Sequence, residues 1–141
     1  MKKNILLILS LLFAVTLYAQ EVPITYKELP QQAQKFIVKN FTDDFSFAIK
    51  EVYRGKVIYT ATLEDDTKIT FDEVGDWETV TGKNKKIPYS FIQMPIKEYV
   101  KINYPEKYIV KIKRTDLNYI ITLNNNIDLT FDAQGIYTRT D

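Results

Sequence analysis

The sequence predicts an α+β fold: two tandem α-β-β-β(-β) repeats forming one antiparallel sheet of six to eight strands, with helices packed on one face. Three observations carry this expectation. The apolar positions that follow Ile24 recur in the same order from Ile87 onward, the mark of an internal duplication. Each copy opens with apolar residues at helical spacing. Each then runs in alternating apolar and polar residues, the period of strands with one packed and one open face.

The N-terminus precedes the repeats and reads differently. Lys2 and Lys3 lead into an apolar run from Ile5 to Val15, and Ala19 ends the apolar stretch before Gln20. A basic start, a short apolar centre and a small residue at the end are the pattern of a secretory signal peptide over residues 1–19. The run is shorter than the about 20 residues a membrane-spanning helix needs. Residues 20–141 are then expected to form a single domain of two repeats, about 24–81 and 87–141. Losing residues 1–19 takes two lysines with it and turns the formal charge of +1 into −1.

The first repeat opens with a helix in which Ala33, Phe36, Ile37 and Phe41 share one face. Ile96, Tyr99, Val100 and Tyr104 do the same in the second, and Pro105 closes that helix. Pro30 and Pro95 stand near the helix starts, where a missing N–H costs nothing. An offset of 63 relates the helices and is expected to persist through Phe45/Tyr108, Phe47/Val110 and Ile49/Ile112. It then becomes 60, through Tyr59/Tyr119, Phe71/Phe131 and Gly75/Gly135. The change places three extra residues of the first copy within Glu51–Lys56.

Strands follow each helix. Tyr59, Ala61, Leu63, Ile69 and Phe71 form one parity, as do Tyr108, Val110 and Ile112 in the second copy. Glu64-Asp65-Asp66-Thr67 and Asn124-Asn125-Asn126 are equivalent hairpin turns, and Gly75 and Gly135 mark the next turns. A short fourth strand is expected near Trp77 and near Tyr137. Thr81–Lys86 links the copies.

Parity also gives the open face. Its expected partner-binding candidates are Ile58, Thr60, Thr62 and Thr70 from the first copy, and Ile109, Lys111, Lys113, Ile120, Thr122 and Thr130 from the second. Trp77 and Tyr137 join them as residue types that anchor interfaces, although both also suit a role capping the core. A threonine-rich face with charges of both signs fits a solvated sheet surface or a broad binding surface.

Catalysis finds little support. The chain has no His and no Cys, which removes imidazole bases, thiolates and the usual zinc and iron–sulfur ligands. Its two mature serines, Ser46 and Ser90, lack a nucleophile-elbow setting. Asp72 and Asp132 each precede a turn, where Asp commonly accepts backbone N–H groups. Asp43-Asp44 and Glu64-Asp65-Asp66 lack calcium-loop spacing. No catalytic residue, metal site or cofactor is expected, and the near-zero charge argues against nucleic acid.

The Leu29-Pro30 helix start, the aromatic helix ends Phe41 and Tyr104-Pro105, and the F-D-x-x-G turns Phe71–Gly75 and Phe131–Gly135 resemble the PepSY-like exported proteins with a β-lactamase-inhibitor-protein-like fold, common in Bacteroidetes. The resemblance spans about residues 22–141. The second copy departs in having Ile92-Gln93 for Leu-Pro and no Gly in its Asn-rich hairpin. What the resemblance implies is a helix-covered sheet whose exposed face grips a partner. Related units accompany peptidase propeptides and modulate peptidases outside the cytoplasm, and β-lactamase inhibitor proteins use a sheet face on their target. No residue here carries over either target. The expected function is an exported, non-enzymatic binding module, an inhibitor or modulator of an envelope or secreted protein such as a peptidase. The expected location is the periplasm or the exterior, with no stable membrane anchor after signal cleavage. The alternative is a small-ligand or cation-sensing periplasmic domain.

Overall fold

A computed structural model of the protein describes residues 19–141. Most of the expected signal peptide lies outside the described residues. The first half contains β1 (Gln20–Ile24), a single 3-10 turn (Tyr26–Glu28), α1 (Gln31–Asn40), β2 (Phe45–Tyr53), β3 (Lys56–Leu63), β4 (Lys68–Phe71) and β5 (Trp77–Thr81). The second contains α2 (Met94–Asn103), β6 (Ile109–Arg114), β7 (Asn118–Leu123), β8 (Asp128–Asp132) and β9 (Tyr137–Thr140). All nine strands form one antiparallel sheet in sequence order. The α+β class and the single sheet are as expected. The sheet exceeds six to eight strands because Gln20–Ile24, just after the expected cleavage point, pairs with β2 as an edge strand.

Residues directly opposite one another in a sheet share a face. One such row crosses every strand: Ile24, Ala48, Ala61, Ile69, Val80, Ile112, Ile121, Leu129 and Thr140. From Ala48 to Leu129 every member is fully buried. They share one core with Ala33 and Ile37 of α1 and Ile96 and Val100 of α2. Both helices therefore lie on the same face of the sheet.

The halves repeat their packing in detail. In the first, Phe36 meets Phe71 edge-on at 5.8 Å and stacks on Trp77 at 5.9 Å. In the second, Tyr99 meets Phe131 edge-on at 5.4 Å and stacks on Tyr137 at 4.5 Å. The helices end alike: the Asn40 and Asn103 side chains donate to the carbonyls of Phe36 and Tyr99, each at 2.9 Å. The Asp72 carboxylate accepts the N–H groups of Val74, Gly75 and Asp76, and Asp132 accepts those of Gln134 and Ile136. These carboxylates are occupied in shaping their turns.

The expected offset between the copies is corrected in one place. Phe45 pairs with Leu63 and Ile109 with Leu123, so β2 and β6 are related by 64, not 63. The second copy spends one more residue between helix and strand, Tyr104–Tyr108 against Phe41–Asp44. The first copy recovers the difference in its longer β2–β3 hairpin, which turns at Arg54-Gly55 with positive φ at both residues.

Candidate functional site

Among the described residues neither helix covers the second face, and two rows of opposed residues run across it. One contains Pro23, Ile49, Thr60, Thr70, Thr79, Lys113, Ile120, Thr130 and Arg139. The other contains Phe47, Thr62, Lys68, Thr81, Lys111, Thr122 and Asp128. The sequence candidates Thr60, Thr62, Thr70, Lys111, Lys113, Ile120, Thr122 and Thr130 thus come together on one surface. Ile58 lies beside them, opposite Glu51 in an outer row. Thr62 and Thr130, at 4% and 7% exposed, are sunk between longer neighbours, so the reachable surface belongs mainly to the others.

Three candidates lie on the helix side instead. Ile109 opposes Leu123 and is fully buried in the core. A bulge between Ile109 and Lys111 inserts Val110, so simple alternation assigns Ile109 to the wrong face while leaving Lys111 and Lys113 correct. For the same reason Val110 is buried outside the main core. Trp77 and Tyr137 oppose Phe71 and Phe131 and belong to the repeated aromatic trios.

The same bulge in β2, between Phe45 and Phe47, explains what sequence reasoning missed. It brings Phe47, 49% exposed, onto the open face with Ile49 beside it. Thr79, Thr81 and Arg139 join from β5 and β9, strands too short for alternation to fix their parity.

Where β5 and β6 part beyond Thr79 and Lys113, a polar cleft of about 610 Å³ opens between the halves. Lys56, Arg114, Asp116 and Tyr119 help line it, and the Arg114 guanidinium lies 4.6 Å over the Trp77 ring. Lys56 is paired with Glu78 at 3.6 Å.

A family model described as "Putative beta-lactamase-inhibitor-like, PepSY-like" matches residues 56–138, more than half of the chain. The chain belongs to the PepSY-like family. Solved structures agree with this assignment. A "putative periplasmic protein" from Bacteroides vulgatus is 31% identical with a TM-score of 0.81, over 86% of this chain and 97% of that one. A "putative calcium-regulated periplasmic protein" from Bacteroides thetaiotaomicron is 31% identical with a TM-score of 0.82, over 86% and 96%. A second Bacteroides vulgatus protein, of unknown function, is 29% identical with a TM-score of 0.82, over 86% and 99%. The curated proteins give no match.

In this PepSY-like chain the acidic turn after β3 is tied to the linker between the halves. Lys85 lies 3.6 Å from the Asp65 carboxylate and also donates to the Asp65 carbonyl, while Lys83 lies 3.9 Å from Asp66. The acids of this turn and the lysines of the linker therefore compensate each other. Among the described residues, no group of three or more acidic side chains is placed to hold a metal ion. No described helix is long and apolar enough to cross a membrane.

Burial pushes the Asp65 carboxyl up, but the Thr67 N–H and hydroxyl and the Lys85 ammonium outweigh it and hold the group below its ordinary 3.8. A carboxyl depressed by folding stabilises the fold above its unfolded value, and the gain is lost as pH falls through the folded one. Asp65→Asn is expected to lower stability at neutral pH and to flatten the stability profile below about pH 4. Urea unfolding between pH 2 and 7 checks this: parallel profiles for the two proteins would refute it.

Proposed function

We propose that this PepSY-like protein is an exported, non-enzymatic binding module that engages another extracytoplasmic protein through its open sheet face. Inhibition or modulation of an envelope or secreted protein, such as a peptidase, is the role this reading assigns. The observation that carries it is the division of the sheet. Both helices are spent on one face, and two rows of side chains span the other with no covering layer among the described residues. Nine strands spaced by about 4.8 Å give a surface about 40 Å wide, on the scale of a standard interface of about 800 Å² per partner.

Export is supported by Lys2-Lys3 and the apolar run to Val15, and by structural neighbours described as periplasmic. The absence of His and Cys and the use of Asp72 and Asp132 as turn acceptors favour binding over catalysis.

Thr60 and Thr70 face each other at the centre of the surface and are half-buried. Thr60→Arg and Thr70→Arg are expected to abolish capture of a partner from the envelope fraction, whereas Lys35→Glu on the exposed side of α1 leaves it intact. Equal recovery of the same protein by all variants would remove the open face from consideration.

A calcium-responsive role is the second reading, favoured by the description of one structural neighbour as calcium-regulated. An unchanged melting temperature and no titration heat with calcium would dismiss it.

A further inference from the structure

The charges of this chain nearly cancel, yet they are not evenly spread. The two rows of the open face carry Lys68, Lys111, Lys113 and Arg139 but a single acid, Asp128, which accepts the Thr122 hydroxyl at 2.6 Å. Arg139 is paired with Asp141 at 3.0 Å. The three lysines are exposed, and among the described residues none of them makes an ion pair.

Their spacing is set by the sheet. Lys68 on β4 and Lys111 on β6 both oppose Thr81 of β5, which puts their backbones about 10 Å apart. Lys111 and Lys113 are two residues apart on one strand, about 7 Å. The lysines therefore ring the central threonines Thr79 and Thr81. Exposed Phe47 and half-buried Ile49 lie toward one end of the same face. Beyond the two rows the face carries charges of both signs: Glu21 opposes Glu51 at the β1 corner, Lys56 starts β3 at that end, and Asp132 opposes Asn118 on β7.

We propose that the partner presents an acidic protein segment to this face, its carboxylates gathered by Lys68, Lys111 and Lys113 and an apolar side chain resting on Phe47. The proposal rests on the reading that the open face is the interface, and adds to it the chemistry of what is bound. Three unpaired lysines whose neighbouring backbones lie about 7–10 Å apart raise one another's energy, and carboxylates arriving between them relieve that repulsion. Threonine hydroxyls between them can donate to the same oxygens. Glu21 and Glu51 repel such a segment from the β1 corner and so orient it toward β6.

A photo-crosslinking residue at Thr81, between Lys68 and Lys111, tests this in the native host. A second probe at Thr60 and a control at Lys35 on α1 accompany it. The expected result is a Thr81 adduct whose attached peptide contains Asp or Glu beside the crosslinked position. Its yield should fall at least about tenfold in Lys68→Glu/Lys111→Glu/Lys113→Glu and decline with added salt. All three lysines are exposed, so an unchanged melting temperature certifies the variant's fold.

The proposal is overturned by an adduct that survives the triple reversal. It is equally overturned by an attached segment without acidic residues, or by an adduct to glycan or lipid. An adduct at Thr60 but not at Thr81 overturns the acidic segment alone and leaves the open face as the interface. Adducts at Lys35 only, or at none of the three positions, overturn both.

Discussion

Gly75→Ala is expected to cost about 3–5 kcal/mol of folding stability, and Gly135→Ala only about 1–3. Both glycines occupy the same place in their repeats, and both have positive φ, +95° and +83°. Conformational strain is therefore similar. What differs is what an added methyl meets. At Gly75 it would lie 2.8 Å from Pro30 Cβ and 2.9 Å from the Ala33 backbone nitrogen. Those atoms belong to the first turn of α1, which cannot retreat without lifting Ala33, a fully buried residue, off the sheet. At Gly135 the nearest atom is Gln93 Oε1 at 2.6 Å, the far end of a flexible side chain, and the next atoms are at 3.5 Å. Gln93 can swing away at the cost of hydrogen bonds to the Tyr119 hydroxyl and the Ala133 carbonyl, each 3.2 Å long. Urea unfolding of both variants measures the difference, and equal losses would show that strain alone matters.

This pair also shows how far sequence reasoning reaches. The duplication, the F-D-x-x-G turns and the helix faces were legible because each depends on residue type at fixed spacing: Ala33 with Ile37, Ile96 with Val100, Asp72 with Gly75. The close approach of Gly75 to α1 was not legible, since only the folded geometry brings those segments together. The open face was readable wherever alternation is unbroken, as from Thr60 to Thr70 and from Lys111 to Lys113. It failed at Ile109 and Phe47 because a bulge moves side chains between faces and leaves no mark in residue type. Trp77 and Tyr137 went astray differently. Their strands are short, and large aromatics serve interfaces and cores equally well. Each occupies an equivalent place beside an equivalent Phe, and the duplication itself held that clue.

Phe71→Ala is the other large effect, about 3–5 kcal/mol. Phe71 is fully buried, its ring meets Phe36 edge-on, and it stands opposite Trp77 of β5, on which Phe36 stacks. Removing it deletes apolar contact and leaves a cavity that the flanking strands, held in the middle of a continuous ladder, cannot close. Phe131→Ala is expected to cost somewhat less. Its trio stands alone beside edge strand β9, whereas the first trio is joined by Phe91, 5.2 Å from Phe36 and 5.3 Å from Trp77. Phe91 lies between β5 and α2, so the first trio also binds the halves together. A double-mutant cycle of Phe71→Ala with Phe36→Leu should return a coupling of about 0.5–1.5 kcal/mol. Zero coupling would mean that the edge-on pair contributes only its separate burial. Every residue of this cluster points toward the helices, and the residues of the open face point the other way from the same strands. Phe71→Ala should therefore lower stability while the folded molecules keep the partner affinity of the unaltered protein. Thr70→Arg, one residue earlier on β4, should do the reverse. Adjacent positions on one strand separate what holds this sheet together from what its exposed side does, and measuring both quantities on both variants tests that separation directly.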